Sequence, residues 1–175
     1  MTAHPIRLLG DPVLKTKAKR VTRIDASIRT LIADMIDSMI AARGVGIAAP
    51  QIGVSLRVIV LGIPGREPFA LINPEIVKRT GERRVDEGCL SVPGYRGEIT
   101  RSLTVVVRAL NEQGKEVRIK ATAKNEDEEE SLLAQALEHE VDHINGTLYI
   151  DHLPSLDHLR KLEPPPLEEA SETAS

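Results

Sequence analysis

The run His139-Glu140-Val141-Asp142-His143 has the residue types and the spacing to hold a metal ion and use it. Residues four apart share one face of a helix, so both imidazoles can reach a single ion if the segment is helical. Glu140, next to the first imidazole, sets a carboxylate where it can take a proton from water on that ion. A catalytic site of this kind needs a third protein donor and keeps a fourth position open. Downstream candidates are His152, His158 and Glu163; upstream lies the single thiol of the chain, in Glu87-Gly88-Cys89-Leu90-Ser91. A lone cysteine commonly serves as a small buried apolar residue. Here Gly88 admits close backbone approach, and a thiolate is a strong ligand for a borderline-soft divalent ion.

A third cluster is Gly44-Val45-Gly46-Ile47-Ala48-Ala49-Pro50-Gln51. Its G-x-G-x-x-A pattern mimics a dinucleotide-binding loop, but that loop needs a strand before it and a helix after it. Here a helical pattern precedes and Pro50 follows. The alternative use is that the glycines admit substrate backbone while Gln51 supplies an amide donor to an oxyanion.

These clusters need elements to position them. From Asp25 to Ala42, Ile28, Leu31, Ile32, Met35, Met39 and Ile40 recur at helical intervals, with Asp25 as the cap and Gly44 as the stop. Short apolar runs follow at Leu56–Leu61, Ala70–Ile72 and Leu103–Ala109. The last reads as a strand that turns at Asn111-Glu-Gln-Gly114 into a second one, Lys115 to Ala121. Asn125 to Glu130, acidic and amide-rich, reads as a loop. From Ser131 a second helical pattern runs through the histidines and ends at Asn145-Gly146. Pro154-Ser155 can start one short last helix reaching Leu162. Helices mixed with antiparallel strands define an α+β fold: strands around a central metal-binding helix, with an N-terminal helix and a short C-terminal one. Residues 1–163 read as one domain, and the acidic, small-residue tail 164–175 as disordered.

Composition narrows the function classes. The 175 residues are 41% hydrophobic and 28% charged, which is globular. Aromatic residues make up 2%, too few for the stacking platforms of single-stranded nucleic-acid binding. The net charge of −3 provides no global field toward DNA or a membrane. One local exception runs from Lys15 to Arg23, which is either a solvated loop face or a contact with ribosomal RNA. The single cysteine excludes an internal disulfide, the N-terminus lacks a secretory apolar run, and no stretch approaches the ~20 apolar residues of a membrane span. A cytoplasmic protein is expected.

Together, Gly44–Gln51, Glu87–Ser91 and His139–His143, in this order and behind the lead-in His4–Leu14, resemble the peptide deformylase family over roughly residues 4 to 154. The resemblance implies a hydrolase that removes the formyl group from N-formylmethionyl nascent peptides, with the ribosome as a possible partner. By the same resemblance, Cys89, His139 and His143 hold one divalent ion: Fe(II) in the cell, with Zn(II), Ni(II) or Co(II) possible in a purified sample. Glu140 is then the proton shuttle, and the Gln51 amide and Leu90 backbone N–H form the oxyanion hole. Val45 and Gly46 pair with the substrate backbone, Arg96 lies near the exit, and Val85 and Ala136 help line the methionine pocket. Glu87 pairs with Arg101, and Asp142 stands behind the ligands. Ser131, Glu138 and a longer acidic stretch at 123–130 depart from the family's usual pattern. Two other readings remain: a zinc metallopeptidase with a downstream third ligand, and an inactive metal-binding module acting at the ribosome.

Overall fold

A computed structural model describes residues 2–164, so the tail expected to be disordered lies, from residue 165 onward, outside the described residues. Helix α1 spans Ala26–Ala41 and is capped by Asp25, whose carboxylate accepts from the Ser27 and Ile28 N–H groups. The chain leaves it through Arg43, the residue with left-handed φ, and not through the expected Gly44. Gly44 has a different constraint: a Cβ there would meet the Leu90 side chain at 2.8 Å.

Seven strands follow: β1 (Gly46–Ala48), β2 (Val58–Leu61), β3 (Phe69–Thr80), β4 (Arg83–Cys89), β5 (Val92–Arg101), β6 (Thr104–Leu110) and β7 (Glu116–Thr122). They make an antiparallel sheet ordered β1-β2-β3-β6-β7, while β4 and β5 pair in a second sheet. The Asn111–Gly114 turn joins β6 to β7 as its composition predicts.

Helix α2, Glu128–Ile144, begins inside the acidic segment expected to be a loop. Asp127 caps it by accepting from the Glu130 N–H, and Glu128, Glu129 and Glu130 put negative charge against the positive end of the helix dipole. Composition marked that segment as solvated, and it is; solvation does not prevent a first turn. Asn145 caps the other end, and Gly146 takes the left-handed conformation.

The larger sheet is buried on both faces at β1, β2 and the first half of β3. In β2, Ile59 and Leu61 join the cluster containing Leu133, Leu137 and Val141 of α2. Val58 and Val60 join the opposite cluster with Ile28, Ile32, Met35 and Met39 of α1. Period-two alternation between two covered faces explains why β2 reads as an unbroken apolar run. Val85 of β4 packs with Ile99, Tyr149 and Leu153 in a third, smaller cluster.

After α2 the expected last helix amounts to one 3-10 turn at Leu156–His158, followed by strand β8 (Arg160–Lys161) on the edge of β5. The Leu162 N–H donates to the Gly94 carbonyl, so the chain end borders the second sheet. No helix among the described residues is long and apolar enough to cross a membrane.

Candidate metal centre

α2 presents His139 and His143 one turn apart, with Nε2 atoms separated by 3.2 Å. Cys89, the last residue of β4, follows a bulge in the β4–β5 pairing and brings its Sγ to 3.3 Å from the His143 Nε2. The three donor atoms lie within 4.8 Å of one another, and this is the donor cluster found among the described residues. Three donors about 2.0–2.3 Å from one ion in tetrahedral directions stand a little over 3 Å apart, so the set fits a single divalent ion. His152 instead faces the Asp142 carboxylate at 2.8 Å, while His158 and Glu163 are outside the cluster.

Buried carboxylates organise the ligands. Glu87 accepts from His139 Nδ1 at 2.7 Å, which turns the other ring nitrogen toward the cluster. Arg101, 2% exposed, donates to Glu87 through two nitrogens and to Asp142 at 2.7 Å. Burial alone would raise the Glu87 pKa; hydrogen bonds from His139 and Arg101 outweigh it and hold the carboxyl down to about 2. Glu138 is also engaged, accepting from the Ser102 N–H at 2.9 Å. Ser131 Oγ bonds both the N–H and the carbonyl of Lys124, tying the segment before α2 to the helix.

Glu140 is buried beside His139, with Oε1 3.9 Å from the His139 Nε2. Its Oε2 has no hydrogen-bond partner among the described residues. Burial raises its pKa to about 7, within reach of both protonation states near neutrality. Gly46 makes room for it: a Cβ there would lie 2.8 Å from Glu140 Oε1.

Gln51 is fixed by its own loop. Its Oε1 accepts from the Ala48 N–H at 3.0 Å, which points the amide nitrogen toward Ser91 Oγ (3.2 Å) and Cys89 Sγ (3.7 Å). Val45, Gly46, Gln51, Cys89, Leu90, Arg96, Ala136, His139 and Glu140 all line one cleft of about 460 Å³. β1 is the edge strand of the larger sheet and borders this cleft. Arg96 is held by Asp86 at 2.7 Å, and Gly88 leaves it room, since a Cβ on Gly88 would meet Arg96 Nη1 at 3.0 Å. Val85 is the exception: it points into the third core cluster and does not line the cleft.

Several residues of the site had been given no role from the sequence. Ser91 receives the Gln51 amide, Gln135 donates to Glu87 at 3.2 Å, and Tyr149 stacks near His139 with ring centroids 6.4 Å apart. Leu132 and Leu162 add apolar walls to the cleft. Gln135 and Leu132 had a signal, being one and two turns before His139 and close to its helical face. Tyr149 and Leu162 had none, since only folding brings them there.

Known proteins resemble this chain in sequence and in fold. The sequence profile of the polypeptide deformylase family matches residues 3–159. A peptide deformylase of Dehalococcoides mccartyi (strain CBDB1) is 54% identical over 165 residues, covering 94% of each chain. One from Thermomicrobium roseum is 43% identical and covers 100% of this chain and 99% of its own. Among solved structures, a peptide deformylase from Legionella pneumophila superposes with a TM-score of 0.82 at 45% identity, covering 90% of this chain and 89% of that one. A peptide deformylase from Synechococcus elongatus in complex with actinonin gives 0.80 at 38% identity, covering 87% and 80%.

Proposed function

The chain belongs to the polypeptide deformylase family, and from that premise we propose how its own residues remove the formyl group from the N-terminal methionine of nascent peptides. The observation that carries the reading is the convergence of Cys89 Sγ with two imidazole nitrogens beside a buried, unpartnered Glu140 oxygen on the wall of a cleft. Cys89, His139 and His143 would hold one divalent ion. We propose Fe(II) as the ion in the cell, while Zn(II), Ni(II) or Co(II) suit the same donors in a purified sample. When bound, such an ion supplies Lewis acidity that lets water deprotonate near neutral pH.

The protein's residues do the rest. The open edge of β1 at Val45 and Gly46 receives the peptide as an added strand, which fixes the formyl group against the α2 wall. Glu140 takes the proton from the attacking water and returns it to the leaving amine, for which a pKa near the working pH is suited. The Gln51 amide and the Leu90 N–H donate to the oxygen on which charge develops, each worth about 3–4 kcal/mol. Ala136 and Leu132 line the methionine side, and Arg96 stands at the cleft wall by β5. The products are formate and a free α-amine. Residues 1–163 act as one catalytic unit in the cytoplasm.

Formate release from formyl-Met-Ala, measured with anaerobic metal content, tests the reading. Wild type releases formate; Cys89→Ala loses metal and activity together; Glu140→Ala keeps metal and loses turnover. A Cys89→Ala protein that retains both would point to a metallopeptidase with another ligand, and metal bound without formate would point to an inactive module.

A further inference from the structure

A second groove, of about 550 Å³, lies on the side of α2 away from the metal cluster and shares no lining residue with the cleft. Val141 and Asn145 form its α2 wall, each two residues from a metal-cluster histidine and so roughly 200° around the helix axis. Four cations line it, contributed by separate parts of the chain: Lys17 and Arg20, Arg57, and Arg79 of β3. None of the four is in an ion pair among the described residues. The single acidic residue in the groove, Glu75, is engaged by Arg108 at 3.1 Å.

The groove is built and not an accident of a loose tail. Ala18 and Val21 are buried, which turns Lys17, Lys19 and Arg20 outward. The segment is anchored at three points: the Ala18 N–H to the Ile144 carbonyl at 2.9 Å, the Arg57 N–H to the Lys19 carbonyl at 2.9 Å, and Asn73 bridging both the N–H and carbonyl of Val21. Arg57 donates to the Ile144 carbonyl and to Asn145 Oδ1, all neutral partners. Burial, with Arg20 nearby, pushes its pKa below the ordinary value despite the opposing charge of Glu75, so the fold holds like charges together with no ion pair to any of them. A chain with net charge −3 that keeps four unpaired cations in one concave, rigid groove is shaped for a polyanion.

We propose that this groove docks the phosphate backbone of folded RNA. The groove has no aromatic lining, so base stacking on single strands has no platform here, and backbone contact remains. A lipid surface is flat, whereas the cations here sit in a recess that a phosphodiester ridge can enter. The choice of RNA rests on the deformylase reading, since the substrate is a chain end still near the RNA-rich particle that makes it. Docking through this face leaves the cleft on the other side of α2 open.

Fluorescence anisotropy of a labelled RNA hairpin of roughly 16 base pairs, titrated with the metal-loaded full chain, tests the proposal. Neutralising three phosphates predicts that affinity falls about 40-fold between about 50 and 200 mM salt. The combined variant Lys17→Gln, Arg20→Gln, Arg79→Gln, all exposed positions, should lose at least about tenfold in RNA affinity and flatten the salt slope. Its formate release from free formyl-Met-Ala should stay at the wild-type level, which also verifies its folding. Equal RNA affinity for the variant and wild type overturns the proposal. So does tighter capture by phosphatidylglycerol vesicles than by the hairpin. Absence of formate from the wild type would instead remove the deformylase reading, while the titration would still judge the groove.

Discussion

Substituting Gly46 by alanine adds one carbon whose consequences can be followed atom by atom. The new Cβ would stand 2.8 Å from Glu140 Oε1, 3.1 Å from its Cγ and 3.2 Å from its Cδ, so the three nearest atoms belong to the proposed proton shuttle and none to a metal donor. Ordinary contact begins near 3.4 Å, so the carboxylate must retreat by about half an ångström or more. Gly46 is not among the glycines with positive φ, and alanine imposes no backbone strain there. A 1 Å misplacement at a reacting centre can cost about 10²-fold, so kcat should fall by about 10- to 100-fold, or ~1.4–2.7 kcal/mol of barrier. Formate release gives kcat and KM, and metal content with a thermal midpoint reports whether site and fold persist. Metal should remain bound. Repeating the substitution in a Glu140→Asp background supplies the control, because the shorter side chain vacates the contact and the added carbon should cost little more. The reasoning fails if Gly46→Ala turns over like wild type, or if it costs the same factor in both backgrounds. The second result would mean the carbon obstructs the peptide and not the base.

Other perturbations test the supporting structure. Arg101→Met leaves Glu87 and Asp142 without their shared buried cation, so urea unfolding should show a loss of about 3–5 kcal/mol. Because Glu87 orients His139, chelator competition should also register a metal affinity weaker by about 10- to 100-fold. Gln51→Ala should lower kcat by about 10²–10³ with metal retained; an unchanged kcat would remove the amide from the oxyanion hole. Met35→Ala empties a fully buried position of the α1 cluster and should cost about 2–5 kcal/mol in stability with kcat unaltered at a temperature where the variant is folded.

Local geometry made part of this protein legible from its sequence. A step of four residues from His139 to His143 means one turn of helix wherever that helix ends up, so two donors and the neighbouring carboxylate could be assigned before any tertiary contact was known. The same holds for the α1 stripe from Ile28 to Met39, for the Asp25 cap and for the Asn111–Gly114 hairpin, each set by interactions within a few residues. The pairing of Glu87 with Arg101 and the choice of Cys89 over His152 came from resemblance, because spacing alone cannot rank donors 50 residues away. What remained closed depended on distant segments meeting. The acidic start of α2 was hidden because solvated helical turns and loops share a composition, and its cap at Asp127 decided between them. Val85 was misplaced in the pocket because strand alternation says that a residue points inward, not which interior it enters. The third donor position, the recess that Gly46 leaves for Glu140, the Tyr149 ring near His139 and the recess shared by Lys17, Arg57 and Arg79 all exist only where two sheets and a helix close on one another. Periodicity specifies which side of an element is apolar; packing alone specifies what that side touches.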